Sequence, residues 1–152
     1  MRIGLGADHA GCALKARLSA HLAGKGYEVI DFGTRDPSVS VDYPVFALAV
    51  GEAVASGRID LGVLVCGTGI GMSIAANKVK GVRAAVVHDV TTARLAREHN
   101  DANVVAVGAR LVAAPLACDI LDTFLDARFD PRHRRRLDLV AAAEQGREDN
   151  TR

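Results

Sequence analysis

The chain has no tryptophan, two tyrosines and four phenylalanines. So few rings offer no platform on which successive bases could stack, and a formal net charge of +1 supplies no field to gather a polyanion, so nucleic acid is not an expected partner. Cysteine is scarce too. Cys12, Cys66 and Cys118 show no paired metal-ligand spacing, and their odd number argues against a disulfide framework. No metal site is expected, and a reducing cytoplasm is. No apolar stretch is long enough to span a bilayer, and Met1-Arg2-Ile3 runs directly into a first strand without room for a signal peptide, so no membrane role is expected. Internal repeats and low-complexity segments are missing as well.

What is there is apolar and small. Ala, Val and Gly dominate a chain of 152 residues that is 49% hydrophobic, which suits one domain of helices packed tightly on a parallel sheet. That domain is expected over residues 1–152, with a polar tail from about 146. Strands are expected at Arg2 to Gly6, Tyr27 to Phe32, Leu61 to Val65, Arg83 to Val87 and Asn103 to Val107. The first helix carries Leu14, Leu18 and Leu22 at helical spacing and ends at Gly24-Lys25-Gly26. The second spans Pro44 to Ser56, with Val45, Leu48, Ala49 and Ala53 expected to face inward. Further helices are read from about Gly71 to Val79, from Val90 to Glu98 and from Pro115 to Leu125, and Asp130-Pro131 opens a last one.

The chemistry concentrates at Val63-Leu-Val-Cys66-Gly67-Thr68-Gly69-Ile70-Gly71-Met72. Leu61 to Val65 suits a strand buried on both faces, and the three glycines allow a tight turn into a helix. Cys66 then sits at the carboxyl end of a central strand, beside uncovered backbone N–H groups whose dipoles favour a thiolate and can face a phosphate or a developing oxyanion. A small buried hydrophobe before an ordinary glycine turn is the plainer alternative, and on these residues alone it stays open. Better-known motifs fail on spacing. Lys78 lies too far along for a Walker A loop, and Met72 stands where a cysteine-phosphatase loop needs Arg. In Gly4-Leu-Gly6-Ala-Asp8-His9, His occupies the third glycine position of a dinucleotide fingerprint.

Other candidates flank the strands. Asp8 and His9 follow the first strand, on the edge where open α/β sheets bind ligands, and either bond a sugar or phosphate or cap the helix. Arg110 closes the fifth strand on the same edge. Tyr43 ends the polar connection from Gly33, with packing as its plainer role, and Asp31 reads as a turn residue. His88 reads as a cap or packing residue and Cys118 as a residue without function. His99 and Asn100 form an adjacent donor–acceptor set at a helix end, where a structural cap is the alternative. Arg132 and Arg136, four apart on one helical face, either clamp a phosphate or simply face solvent.

Taken in order, Asp8-His9-Ala-Gly, Asp42-Tyr43-Pro44, Cys66-Gly-Thr-Gly-Ile-Gly, Ala75-Ala-Asn77-Lys78, His99-Asn100-Asp101 and the Arg132/Arg136 pair resemble the type B ribose-5-phosphate isomerase family, which includes the galactose-6-phosphate isomerase subunits. The resemblance runs from Arg2 to about Glu144. It implies a flavodoxin/Rossmann-like domain: a single doubly wound five-stranded parallel sheet with helices on both faces. It also implies a homodimer, or a dimer of dimers, whose C-terminal helices exchange contacts and whose active sites draw on both subunits. The implied reaction interconverts ribose 5-phosphate and ribulose 5-phosphate through an enediolate, without metal or cofactor. By the resemblance Cys66 is the base, Thr68 supports its thiolate, and the amides of Gly67, Gly69, Ile70 and Gly71 hold the enediolate oxygen. His99 opens the furanose ring, Asp8, Tyr43 and Asn100 bind substrate, and His9, Arg110, Arg132 and Arg136 hold the phosphate. Members without this cysteine carry Glu where Met72 stands, which places the chain in the Cys-base group. Four-carbon (erythrulose 4-phosphate) and six-carbon (galactose or allose 6-phosphate) substrates are the alternatives, and a non-catalytic sugar-phosphate-binding protein on the same fold is the rival.

Overall fold

A computed structural model describes residues 1–149. In chain order it contains β1 (Arg2–Ala7), α1 (Cys12–Gly24), β2 (Glu28–Asp31), α2 (Tyr43–Ala55), β3 (Leu61–Cys66) and α3 (Ile70–Ala76). These are followed by β4 (Ala84–Val86), α4 (Val90–Asn100), β5 (Val104–Gly108), α5 (Ala114–Asp126), a 3-10 turn at Pro131–His133, and α6 (Arg134–Asp149). The five strands are parallel in the order β2-β1-β3-β5-β4. The doubly wound class is therefore the one expected. Relative to the flavodoxin order 2-1-3-4-5, the last two strands exchange, which seats β5 beside β3 and leaves short β4 at the edge.

Alternation along the strands assigns each side chain to a layer. Ile3, Leu5, Val63, Val65, Val105 and Val107 face α1, α4 and α5 through Leu18, Ala93, Ile120 and Phe124. Leu64, Cys66, Val104 and Ala106 face α2 and α3 through Ala47, Val50, Met72 and Ala76. Met72 is thus core. No helix of the described residues is long and apolar enough to cross a membrane.

Helix α2 turns differently from the expectation. Its buried stripe is Ala47, Val50, Gly51 and Ala53, whereas Val45 is 64% exposed and Leu48 is exposed too. The helix is apolar almost all round, so periodicity does not choose a face. Close approach does, because Ala47 and Gly51 admit neighbours that Val45 and Leu48 would hold off. Ile70 and Ile74 of adjacent α3 are likewise exposed, leaving apolar surface on both helices.

Several boundaries shift for local reasons. At β4, Asn77 Nδ2 donates to the Ala84 carbonyl and Asn77 Oδ1 accepts from the Ala84 N–H, each at 2.8 Å, so one amide replaces the strand missing at this edge. That commitment ends α3 at Ala76, short of Val79. Asp89, not His88, caps α4 by accepting from Thr92 N at 2.8 Å. Helix α4 continues to Asn100, where Asp101 stops it in the left-handed region at φ 44°. Helix α6 reaches Asp149, inside the stretch expected as a polar tail, and residues 150–152 lie outside the described residues.

Asp31 is more than a turn residue. Its carboxylate accepts from Lys15 Nζ at 2.7 and 2.8 Å and from Gly33 N at 2.9 Å, and Lys15 Nζ also donates to the Thr34 carbonyl at 2.8 Å. A buried ammonium needs such a full set of acceptors, and the set fixes where the chain leaves β2.

Candidate active site

Register brings the carboxyl ends of β1, β3 and β5 side by side: Ala7 pairs with Val65, and Cys66 with Gly108. Asp8, His9, the turn from Cys66 to Gly71 and Arg110 therefore gather on one edge. Cys66 is 6% exposed, and its Sγ accepts from the Gly69 N–H at 3.1 Å. Only glycine suits position 69, where φ is 81° and an added Cβ would lie 3.2 Å from the backbone of Ala106 and Val107. Thr68 Oγ1 accepts from Ile70 N at 3.4 Å, so the bond to the sulfur comes from the Gly69 amide. Ile70 itself projects outward.

Charge and shape close in around that turn. Arg110 N donates to the Gly67 carbonyl at 3.1 Å, Ala109 N donates to the Cys66 carbonyl at 2.8 Å, and the Arg110 guanidinium lies against Gly67. Tyr43, the first residue of α2, sets its ring on the bare face of Gly71, where an added Cβ would come within 2.7 Å. Asp8 is buried and its Oδ1 accepts from Gly11 N at 3.0 Å, which closes the turn ahead of α1; the N-cap itself is Gly11, not Asp8, and Oδ2 is left over. His9 Nδ1 accepts from Val41 N at 3.2 Å.

The remaining candidates lie elsewhere. Helix α4 starts at the carboxyl edge after β4 and returns, so Asn100 ends beside Arg83, whose Nε donates to the Asn100 carbonyl at 3.2 Å. Eleven helical residues at about 1.5 Å each place His99 roughly 15 Å from the edge that bears Cys66. The His99 ring rests on His133, with centroids 4.2 Å apart. Arg132 Nε donates to His133 Nε2 at 3.1 Å, and Arg136 reaches His133 Nδ1. Arg132 belongs to the 3-10 turn and Arg136 to α6, so the pair does not share one helical face as expected. Asp130 accepts from Arg132 N at 3.1 Å and tightens the turn, and buried His133 holds the two guanidiniums together.

This cluster is short of negative charge. A neutral imidazole has one lone pair, yet two guanidiniums reach His133, and the Asp130 carboxylate bonds Arg132 at 2.8 Å. An anion seated among Arg132, Arg136 and His99 would relieve the competition. Beside it, a cavity of about 440 Å³ opens between β4 and α6, lined among others by Asn77, Arg83, Asn100 and Leu137. That cavity is at the amino edge, away from Cys66.

Over residues 3–140 the chain matches the family model described as ribose/galactose isomerase. It belongs to that family. The isomerase is 48% identical over 147 residues to ribose-5-phosphate isomerase B of Escherichia coli K12, covering 96% of this chain and 98% of that protein. It is 51% identical over 131 residues to galactose-6-phosphate isomerase subunit LacB of Clostridium acetobutylicum, covering 86% and 75%. Among solved structures, ribose-5-phosphate isomerase B of Clostridium thermocellum superposes with a TM-score of 0.94 at 52% identity, covering 96% and 99%. The Mycoplasma genitalium enzyme with bound ribulose-5-phosphate gives 0.90 at 43% identity, covering 95% and 96%. The chain is an enzyme of phosphorylated sugars, an aldose–ketose isomerase.

Two residues that support the candidate side chains carried no expected role. Asp101 follows His99 and Asn100 directly. It holds the end of α4 by accepting from Arg83 at 3.0 Å and Arg97 at 3.1 Å. His133 lies within the basic run Arg132 to Arg136, where its sequence neighbours give no sign of its burial. Burial first, then the positive charges of His99, Arg132 and Arg136, push its imidazolium below the ordinary value of 6.5. Well above 6.5 both folded and unfolded chains hold it neutral. Below that value the unfolded chain takes up the proton first, and stability falls until the folded ring protonates as well. Urea midpoints at about pH 7.5 and about pH 5.5 are therefore expected to differ more in the wild type than in His133→Gln.

Proposed function

We propose that this isomerase interconverts ribose 5-phosphate and ribulose 5-phosphate through an enediolate, with Cys66 as the base. The observation that carries the reading is the Gly69 N–H directed at the Cys66 sulfur at 3.1 Å, because a donor there favours the anionic form that removes a proton. Relatives named ribose-5-phosphate isomerase B match this chain almost end to end, which supports the five-carbon substrate.

Once the ring is open, the Cys66 thiolate takes the proton from C2. The C–H electrons form the C1–C2 double bond, and negative charge collects on O1, facing the amides of the Gly67 to Gly71 turn. The proton on O2 passes to O1, the Cys66 thiol returns its proton to C1, and the ketose results. A preorganised N–H donor at a developing oxyanion is worth about 3 kcal/mol. Asp8, through its remaining oxygen, and Tyr43 orient the sugar from the same side.

The other half comes from a second copy. His99 and Asn100, which act on the ring and its hydroxyls, travel with Arg132 and Arg136 at the amino edge, while Arg110 and His9 stand beside Cys66. One chain holds the two sets apart, so a homodimer that places one copy's amino edge against its partner's carboxyl edge completes the pocket and closes cations on the phosphate from both sides. Exposed Val45, Leu48, Ile70 and Ile74, with Leu139 and Val140 of α6, supply apolar surface for such a contact. The reaction proceeds in the cytoplasm, where a free thiol stays reduced.

The test is turnover in deuterated water across four-, five- and six-carbon aldose phosphates. Ribose 5-phosphate is expected to gain deuterium at C2 and to show a kcat/KM at least about tenfold above the others. An unexchanged C2 with no ketose formed would leave only a binding protein. A tenfold advantage for another chain length would move the assignment to that sugar.

A further inference from the structure

The connection from β2 to α2, residues 33–42, is fastened at both ends. At its start, Thr34 N donates to the Ala7 carbonyl at 3.0 Å, and the Thr34 carbonyl accepts from Lys15 Nζ. Its middle folds on itself, with the Asp36 carboxylate accepting from Ser38 N at 2.8 Å and Ser38 Oγ at 2.6 Å. At its end, Val41 N donates to His9 Nδ1 at 3.2 Å, two residues before Tyr43 settles on Gly71. A ring nitrogen that accepts a backbone N–H carries no proton. Neutral His9 therefore bears its proton on Nε2, which has no hydrogen-bond partner among the described residues.

We propose that His9 is a positioning residue as well as a ligand: Nδ1 latches the 33–42 connection beside the pocket while Nε2–H donates to the phosphorylated sugar. The ligand half rests on the function proposed above, and the latch does not. Because only Asp42, the N-cap of α2, separates Val41 from Tyr43, pinning Val41 also fixes the wall that Tyr43 presents. A sugar one carbon longer needs that wall to retreat, which breaks the Val41 bond. The imidazole that grips the substrate thus also sets the length of sugar accepted.

Two substitutions separate the nitrogens. Asn places an amide oxygen near the position of Nδ1, and Gln places an amide NH2 near that of Nε2. His9→Asn is expected to keep slow hydrogen exchange at the Val41 amide and to raise KM for ribose 5-phosphate about tenfold. His9→Gln is expected to speed Val41 exchange about tenfold and to erode the preference for five-carbon over six-carbon phosphates severalfold. Nitrogen-15 spectra of wild-type His9 are expected to show a protonated Nε2 and a bare Nδ1, and they decide the matter should His9→Gln fail to fold. Wild-type exchange and discrimination in His9→Gln, or a proton on Nδ1, overturns the latch. Equal KM losses in both variants with Val41 still slow reduce His9 to a ligand, which overturns the proposal and spares the function. Fast Val41 exchange in His9→Gln, in an enzyme that turns over no sugar phosphate, spares the latch and overturns the function.

Discussion

Cys66→Ala is expected to lower kcat for ribose 5-phosphate by roughly three to four orders of magnitude, the upper range for loss of a general base. At about 1.36 kcal/mol per decade that is roughly 4 to 5.5 kcal/mol of transition-state stabilisation. The amides proposed to face the developing oxyanion are backbone groups and survive the change, as do Arg110 and His9. Affinity for ribulose 5-phosphate, measured as product inhibition of the wild type and by calorimetry in the variant, should therefore move by less than about threefold. The fold should survive too. Cys66 is a small side chain in the α2/α3 layer, and alanine there costs on the order of 1 kcal/mol, checked by urea unfolding. Cys66→Ser should be almost as inactive, because a hydroxyl accepts the Gly69 N–H without ionising near neutral pH. Retention of kcat within about tenfold in a folded Cys66→Ala enzyme would place the base on another residue.

How far these roles could be read from the chain depended on what kind of force sets each one. Strands β1, β3 and β5 are buried on both faces, so continuous apolar runs mark them, and the edge on which Asp8, Cys66 and Arg110 meet follows from parallel order alone. The face of α2 was not legible, because an almost wholly apolar helix offers no polar side to orient it, and packing against Ala47 and Gly51 decided. The placement of His99 was available in principle. A helix that follows β4 must end at the opposite edge, so His99 cannot stand beside Cys66 in one chain. The meeting of Arg132 and Arg136 was hidden for another reason: they span a change from 3-10 turn to α-helix, and the buried ring of His133 joins them, not helical spacing.

Restoration of activity by mixing two dead enzymes is the sharpest consequence of that separation. Cys66→Ala leaves the amino edge intact, and the double variant Arg132→Ala, Arg136→Ala leaves the carboxyl edge intact. In the proposed shared-pocket dimer, a hybrid would have one pocket with neither half and one in which the unmodified Cys66 of the second chain meets the unmodified arginines of the first. If subunits exchange freely in equal amounts, half of the dimers are hybrids with one working pocket each, so the mixture should reach about a quarter of the wild-type rate. Each variant alone should stay below about one per cent, since the first lacks the proposed base and the second the proposed phosphate grip. The rate should also rise with the time allowed for exchange after mixing and fall on dilution, as it must when activity depends on two chains meeting. If base and arginines instead served the same pocket from one chain, every combination would lack one of them and no mixture would exceed its components. A flat, inactive mixture in which native mass spectrometry detects hybrid dimers would therefore refute the shared pocket, whereas recovery near a quarter would assign Arg132 and Arg136 to the chain opposite the reacting sulfur.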